Sequence, residues 1–437
     1  MRAQLIRFGF IHVIVKLFWF ILFLFTSHLC HSQNDFNAVY TKARTHYKNK
    51  EYAEFSDAIQ KAILTHPYHQ GALYYSGIAA ALNSKPEEAI PYLKKAILID
   101  SRYDLKNPDL SSINGRKDFV DLLSLQGKMN TPVINSEAYI RINDRQLHVE
   151  EIAFNPKDHS FYFGSIHKRK IVKVATTGYF LNFNETAERE MTSVFGLKVD
   201  NKSKFLWACT SPVEEMEGYD TTYRSKVFKF NIPYGEAVES YEPPAAVRNS
   251  VFGDLTISRN NEVYVSDSRN NIIFKVNQAA KKLEKYFESP EFASIQGICF
   301  SDDNTQMFIA DYVKGIYKLN IKTKQLSKIA CSLDVSLKGI DGLLYYKGTL
   351  IAIQNGVFPL RSVKLVLNKD ASSIVDFKTI DRANPDFNEP TLGVIDGNTL
   401  YYIANSQWSG YDERHHIKPF DDLQDIVILK VNLDELK

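Results

Sequence analysis

The chain has 437 residues, which is long for one domain and sufficient for two domains with a large core. Its 28 Phe and 24 Tyr residues, with 20 Gly and 15 Pro, are typical of a globular protein and exclude a disordered or fibrous one. The 53 Lys and Arg residues nearly balance the 51 Asp and Glu residues, and a formal net charge of +2 gives no reason to expect a nucleic-acid partner.

The segment 1–32 has the pattern of a secretory signal peptide. Arg2 and Arg7 form a basic start, an apolar run extends from Leu17 to Phe25, and Cys30-His31-Ser32 precedes a cleavage point ahead of Gln33. The sequence therefore predicts a secreted or periplasmic protein. The alternative is an uncleaved anchor, and a membrane association is expected only in that case.

Three cysteines lie beyond the predicted signal peptide, an odd number with no Cys-x-x-Cys spacing that would indicate a zinc site. Cys209 and Cys299 fall in strand patterns and are predicted to be buried, small apolar residues. Because export would expose thiols to an oxidising compartment, one disulfide among Cys209, Cys299 and Cys331 is the alternative.

Residues 33–128 have a helical period and contain an internal repeat. The tetrapeptide Lys-Ala-Ile-Leu begins at Lys61 and again at Lys95, and this offset matches the tetratricopeptide period of roughly 34 residues. Pro67 and Pro86 are predicted to separate helices, and the amphipathic segment Asp118 to Leu125 is predicted to cap the repeats. Two functions of this domain are possible from the sequence. It could bind a protein partner in a groove, or it could serve as a structural collar for the second domain.

Residues 129–437 repeat one β-rich phrase, in which an alternating strand, a polar turn and a second strand rich in aromatic residues follow each other. The copies begin at Val149, Val194, Val251, Ile295, Ile340 and Pro390. The glycines near their starts recur at a spacing close to that of propeller blades, roughly 40 to 50 residues. The ring is predicted to close by pairing of Tyr139–Ile142 with the last strand, Ile426–Val431. The predicted fold class is therefore α+β multidomain, with a short α-helical tetratricopeptide-like domain followed by an all-β six-bladed propeller.

The first strand of each blade lines the central channel of a propeller, so the start of each phrase is expected to place a side chain near the axis. These positions are Glu150, Gly196, Asp254, Gln296, Asp341 and Thr391. Carboxylates gathered on one axis repel each other unless a cation or hydrogen bonds compensate them. A hard divalent ion with oxygen ligands is therefore expected. Asp267 is expected to satisfy a turn, and Asn405–Trp408 would line the channel mouth.

At these residues the chain resembles the senescence marker protein/gluconolactonase family, over roughly Ser136 to Lys437. Val149-Glu150-Glu151 stands where family members carry a metal-binding Glu, and Ile295-Gln296-Gly297 stands where they carry an Asn ligand. Ile340-Asp341-Gly342 stands where they carry an Asp that binds the metal and acts in proton transfer. The resemblance implies a divalent metal, with Ca²⁺ expected, bound by Glu150, Gln296 and Asp341.

Two departures from the family pattern stand out. Gln296 is one methylene longer than Asn, and Gly253 replaces an Asn that would touch substrate. The next residue, Asp254, keeps the family's carboxylate. Asp341 and Asp254 are the predicted catalytic residues.

Two functions follow from the sequence. The first is an exported, metal-dependent hydrolase of small lactones or esters, resembling the gluconolactonases. The alternative is a non-enzymatic binding or scaffold protein that holds partners through the helical repeats and the propeller face.

Overall fold

The computed structural model describes residues 36–175, 180–184 and 190–436. These residues form two compact units, one ending at Gln126 and the other beginning at Gly127. A short helical region precedes a six-bladed β-propeller, which confirms the predicted α+β multidomain class. The predicted signal peptide lies outside the described residues. Within the described ranges, no helix combines the length and the apolar character needed to cross a membrane.

The helical unit repeats a pair of helices. Its elements are α1 (36–48), α2 (Tyr52–Thr65), α3 (Gln70–Leu82), α4 (Pro86–Ile99), a 3-10 helix (Pro108–Ile113) and α5 (Lys117–Asn130). Helices α2 and α4 are separated, at their starts and at their ends alike, by the same offset as the repeated tetrapeptide. Pro86 occupies the first position of α4, where its missing N–H costs no helical hydrogen bond.

The helices of this unit pack through one small and one large side chain. A Cβ at Gly77 would lie 2.6 Å from Leu93 Cδ2, so glycine there lets α3 and α4 approach closely. In the first copy Phe55 is fully buried, and its ring packs against Tyr47 and Tyr75. The large Phe55 ring therefore belongs to the packed interior of the helical unit.

The propeller consists of six sheets in chain order, whose strands pair antiparallel except for one parallel pair in blade five. Blade one contains β3 (Val149–Asn155), β4 (Ser160–Ser165), β5 (Ile171–Val174) and β6 (Phe180–Asn182). Blade two contains β7 (Ser193–Val199), β8 (Phe205–Ser211), β9 (Lys226–Asn231) and β10 (Glu236–Tyr241). Blade three contains β11 (Phe252–Ile257), β12 (Val263–Asp267), β13 (Ile272–Asn277) and β14 (Lys282–Glu288). Blade four contains β15 (Ile295–Phe300), β16 (Gln306–Asp311), β17 (Gly315–Asn320) and β18 (Leu326–Lys328).

The last two blades complete the ring and include strands from the start of the chain. Blade five contains β20 (Ile340–Tyr346), β21 (Thr349–Gln354), β22 (Arg361–Leu367) and β23 (Ser373–Arg382), with β1 (Val133–Ile134) and β19 (Ala330–Cys331) beside β23. Blade six contains β24 (Gly393–Asp396), β25 (Thr399–Ile403), β26 (Ile426–Asn432) and β2 (Glu137–Ile142). Strand β2 pairs with β26, as the sequence predicted. Ring closure in this way removes exposed strand edges.

The first strands of neighbouring blades contact each other around the hub, from β3 through β7, β11, β15, β20 and β24 back to β3. Glycines permit this close approach. A Cβ at Gly297 would lie 2.6 Å from the Asp341 carbonyl oxygen, and one at Gly342 would lie 2.5 Å from the Thr391 carbonyl oxygen. The Thr391 hydroxyl also donates to the Glu150 carbonyl over 2.9 Å and joins the last blade to the first.

The buried Asp381 carboxylate fixes the point where the chain enters the ring. Its Oδ1 accepts hydrogen bonds from the backbone N–H groups of Asn135 and Ser136, at 2.9 and 3.3 Å. Its Oδ2 accepts from the hydroxyls of Ser136 and Tyr402. One side chain of blade five thus holds the segment between β1 and β2 and contacts blade six.

We expect Asp381→Asn to lower the free energy of unfolding by about 3 kcal/mol, because an amide donor replaces the oxygen that accepts from two buried hydroxyls. Urea denaturation of the chain measures this loss. The control is Asp376→Asn, since Asp376 is exposed on the same strand and should change stability by under about 0.5 kcal/mol. Equal stabilities of the two variants would show that Asp381 does not hold the ring closed.

Candidate active site

A cavity of about 330 Å³ lies where the first strands of the blades begin. One part of its wall is polar and consists of Glu150, Gln296, Asp341, Asn355, Glu389, Tyr312 and Ser268. The other part is formed by Phe195, Val251, Phe252, Gly253 and Trp408. No basic side chain lines this cavity in the described part of the chain. Polar groups against an apolar wall are typical of a small-molecule site.

Irregularities in strand pairing select the side chains that face the cavity. Each of the first five blades has a register shift at the start of its first strand, and the unpaired residues there include Glu150, Phe195, Gly253, Gln296 and Asp341. All five line the cavity. A bulge re-aims a side chain that a regular strand would direct elsewhere, so the repeated bulges build the site.

The structure brings together three of the four residues singled out from the sequence. Glu150, Gln296 and Asp341, the predicted metal ligands, line one cavity, and so does the predicted catalytic Asp341. The other predicted catalytic residue, Asp254, follows the bulged Gly253 and is buried away from the cavity lining. The expectation that Asp254 faces the cavity therefore missed the register by one residue.

Glu150 is buried, and its carboxylate receives two donors from the long connection between β25 and β26. Oε2 accepts from the Ser406 hydroxyl and, over 3.1 Å, from Trp408 Nε1. Burial, followed by repulsion from Asp341, raises the pKa of Glu150 well above its ordinary value. The two donors orient the carboxylate without neutralising it.

Asp341 is held by a relay of side chains from two blades. Its Oδ2 accepts from Asn355 Nδ2 over 2.8 Å, and Asn355 Oδ1 accepts from the Tyr312 hydroxyl over 2.9 Å. Burial, together with repulsion from Asp254 and Glu389, raises the pKa of Asp341 to about 6. The relay fixes the carboxylate in an orientation toward the cavity.

Gln296 and Gly253 fit together across the boundary between blades three and four. A Cβ at position 253 would lie 2.8 Å from Oε1 of Gln296. The amide Nε2 donates to Ser294 Oγ over 3.3 Å, and the Gln296 carbonyl accepts from Ser266 Oγ over 2.8 Å. The longer Gln side chain therefore uses space that glycine leaves free.

Glu389 contributes a third carboxylate to the cavity. Its backbone has a φ of 63°, in the left-handed region that is costly for a side chain other than glycine. Its Oε2 accepts from Ser409 N over 3.1 Å, and its carbonyl accepts from Ser406 N over 3.1 Å. Glu389 thereby positions the loop whose Ser406 and Trp408 contact Glu150.

Asp254 belongs to a second cluster of charged side chains in the hub, together with Glu151 and Lys198. Lys198 Nζ lies 2.9 Å from Glu151 Oε2 and 3.7 Å from Asp254 Oδ1. Asp254 also accepts from the backbone N–H groups of Leu255, at 2.6 Å, and Ile298, at 3.1 Å. Burial raises the pKa of Asp254. The attraction between this carboxylate and Lys198 opposes that rise. These contacts give Asp254 a structural role, in which it ties blade three to blade four.

The donor set of the cavity fits a hard divalent cation. Carboxylate and amide oxygens are the ligands that Ca²⁺ prefers, and Glu150, Gln296 and Asp341 supply such groups on one cavity wall. Across the described ranges, no group of three His, Cys, Asp or Glu side chains is arranged to hold a metal ion. A cation site here therefore needs amide oxygens in addition to the two carboxylates.

Sequence reasoning missed several side chains of the site. Tyr312 and Asn355 directly follow the second strands of blades four and five, and Ser268 follows that of blade three. Since the second strand runs antiparallel to the first, its end lies at the edge where the first strand begins. The position directly after each predicted second strand is therefore the sequence signal that could have identified these cavity residues. Trp408 does line the mouth, and Asp267 satisfies a turn by accepting from Arg269 N and Asn270 N, both at 3.1 Å.

The three cysteines among the described residues are free, so the alternative of a disulfide between two of them is not seen. Cys209 and Cys299 are buried, as expected for small apolar residues, and Cys331 is half-buried.

No protein-family model matches the sequence, and no curated protein matches it significantly. Solved structures that resemble the chain include a gluconolactonase from Xanthomonas campestris, at 11% identity over 68% of this chain and 97% of that chain, with a TM-score of 0.44. The PQQ-bound aldose sugar dehydrogenase from Streptomyces coelicolor is similar at 11% identity, with coverage of 69% and 99% and a TM-score of 0.46. Virginiamycin B lyase from Staphylococcus aureus is similar at 9% identity, with coverage of 68% and 99% and a TM-score of 0.44. The neighbours thus include gluconolactonase-like and other propeller enzymes, all at low sequence identity.

The second cluster predicts a pH dependence of stability. Burial raises the pKa of Glu151 to about 8, above the ordinary value of 4.5. Between these values the folded chain holds a proton that the unfolded chain releases, so stability falls as pH rises and the contribution is lost above pH 8. We expect Glu151→Gln to make this decline shallower by about 1 kcal/mol per pH unit.

Urea denaturation between pH 5 and pH 8 in buffer without divalent ions measures the slope. Glu262→Gln is the control, because partial burial of Glu262 is outweighed by pairing with Lys275, which lowers its pKa and places its titration below this window. Identical slopes for Glu151→Gln and the unaltered chain would contradict the assignment of the extra proton to this cluster.

Proposed function

We propose that the propeller is a divalent-cation-dependent hydrolase of small lactones or esters, with Ca²⁺ as the expected ion. The observation that carries this proposal is the pair of carboxylates, Glu150 and Asp341, that share one cavity with Gln296 and have no basic side chain beside them in the described lining. Burial, followed by repulsion from Asp341, raises the pKa of Glu150, and a cation would relieve that repulsion. Glu150, Gln296 and Asp341 would hold that ion.

When bound, the cation would supply Lewis-acid polarisation of the substrate carbonyl. Ser406 and Trp408 orient Glu150, and Asn355 and Tyr312 orient Asp341, so both carboxylates are positioned before substrate binds. Phe195 and Trp408, whose rings stack at 6.2 Å, offer an apolar wall to the substrate.

Glu389 is assigned the proton transfer, because it is the carboxylate of the described lining that is not used as a ligand. A water oxygen forms a bond to the carbonyl carbon while Glu389 accepts one of its protons. The bond from the carbonyl carbon to the ring oxygen then breaks, and Glu389 returns the proton to that oxygen. The product is a hydroxy acid, and Glu389 is regenerated.

We expect Asp341→Asn to weaken Ca²⁺ binding by about tenfold or more, since one of two carboxylate ligands is lost. Calorimetric titration of the mature, chelator-treated protein measures the affinity, and the calcium-induced rise in melting temperature checks it independently. Turnover of a panel of lactones should disappear with chelator and in this variant. The control is Asp302→Asn, an exposed carboxylate on the turn between β15 and β16.

Turnover that survives both chelator and Asp341→Asn would refute the proposed reaction. Calcium binding without turnover of any lactone or ester would instead favour the alternative, a binding protein that uses the same cavity.

The fit between Gly253 and Gln296 predicts a coupled pair. We expect Gly253→Ala to displace the Gln296 amide and weaken Ca²⁺ binding about threefold to tenfold, while Gly253→Ala/Gln296→Asn recovers most of the affinity because Asn is shorter. A double-mutant cycle with Gln296→Asn alone, read by calorimetry, gives the coupling. Additive effects of the two substitutions would show that the residues do not share space.

A further inference from the structure

A second cavity, of about 660 Å³, adjoins the candidate active site. It is formed by loops that follow β8, β10 and β12 in blades two and three. Val251 lines both cavities, and Ser268 of the first cavity is followed in the chain by Arg269 of the second. The two cavities therefore share a wall.

The second cavity carries the opposite charge to the first. Arg224, Arg248 and Arg269 line it, and no Asp or Glu does so among the described residues. This polarity is local, because 53 basic and 51 acidic residues balance in the chain as a whole. We name the cavity the arginine pocket.

Two of the three arginines have no acidic partner in the described part of the chain. Arg224 Nε lies 3.6 Å from Glu242 Oε2, and Glu242 is shared with Lys226 at 3.2 Å. Arg248 and Arg269 are exposed, and neither forms an ion pair with a described residue. Their guanidinium groups are thus available to a ligand.

Backbone contacts position the loops that carry these two arginines. The buried Asp267 accepts from the N–H groups of Val251, at 3.3 Å, and Arg269, at 3.1 Å. Asn270 Nδ2 donates to the Arg248 carbonyl over 3.2 Å. The two loops are therefore tied to each other before any ligand binds, which lowers the entropy cost of binding.

We propose that the arginine pocket binds an oxyanion, a carboxylate or phosphate group, on a substrate whose carbonyl end lies in the candidate active site. Guanidinium groups bind both oxyanions through paired N–H donors. Hydroxyls of Thr221, Thr222 and Ser250 on the same walls offer further donors. The part of the proposal that concerns substrate rests on the proposed function, whereas the binding of the anion does not.

Direct binding is tested first, by calorimetric titration of inorganic phosphate and, separately, of succinate into the full mature chain without divalent ions. We expect the unaltered chain to bind at least one probe and Arg248→Ala/Arg269→Ala to bind it at least about tenfold more weakly. The stronger probe assigns the oxyanion. Arg259→Ala is the matched control, because Arg259 is exposed on the turn at the other end of β11. Failure of both probes to bind, or equal affinity in the double variant, overturns the proposal.

Kinetics test the link to the substrate. Arg248→Ala/Arg269→Ala should raise KM about tenfold for a lactone with an anionic substituent and leave kcat/KM for a neutral lactone unchanged. An equal loss on both substrates overturns the specificity role. If no lactone or ester is turned over, the proposed function fails, and the direct titrations still decide whether the pocket binds an anion.

Discussion

Convergence of six strands on one axis is the constraint on which the rest of this structure depends. The first strands of adjacent blades approach so closely that side chains at Gly297 and Gly342 would clash with neighbouring backbone. Closure of the ring by β2 and β26, held by Asp381, maintains that spacing. Polar side chains that project from these strands are therefore removed from water and brought near each other, which raises the cost of their charge.

The hub resolves this cost in two different ways. Glu151 and Asp254 share Lys198, and both accept backbone N–H donors, so a basic side chain and the backbone offset part of the cost of burying them. Glu150 and Asp341 have neutral donors, and no basic side chain lines their cavity within the described residues. The same residue types thus serve as a structural tie in one cluster and stay open to a ligand in the other. This contrast, rather than the fold, supports the proposed function of the cavity.

The repeated phrase made the propeller and its closure predictable from the sequence, because each copy carries its own strands and turn. The repeat from Lys61 to Lys95 likewise located the helices α2 and α4. Assignment of the site was less complete because alternation along a strand assumes a regular ladder. Bulges at the starts of five strands shift the cavity-facing residue to Phe195 and Gly253, one position before Gly196 and Asp254. The contribution of Glu389 and Ser406 depends on a loop fold that no local pattern encodes.

The two adjoining cavities are lined by side chains of opposite charge, and this difference affects which molecules can bind. Without a bound cation, the first cavity offers a small anion the carboxyl groups of Glu150, Asp341 and Glu389 and no basic side chain of the described lining, so it would repel that anion. An anionic group that lies against Arg248 and Arg269 avoids this repulsion and leaves the uncharged end of the same molecule beside the carboxylates. The proposed arrangement therefore favours a molecule whose anionic group and uncharged carbonyl end reach the two cavities together, whereas a molecule with one of these ends would use one cavity alone. Under this proposal, opposite charges on the two sides of Val251 would select such a molecule by shape and charge together, which a single polar cavity of the same volume could not do.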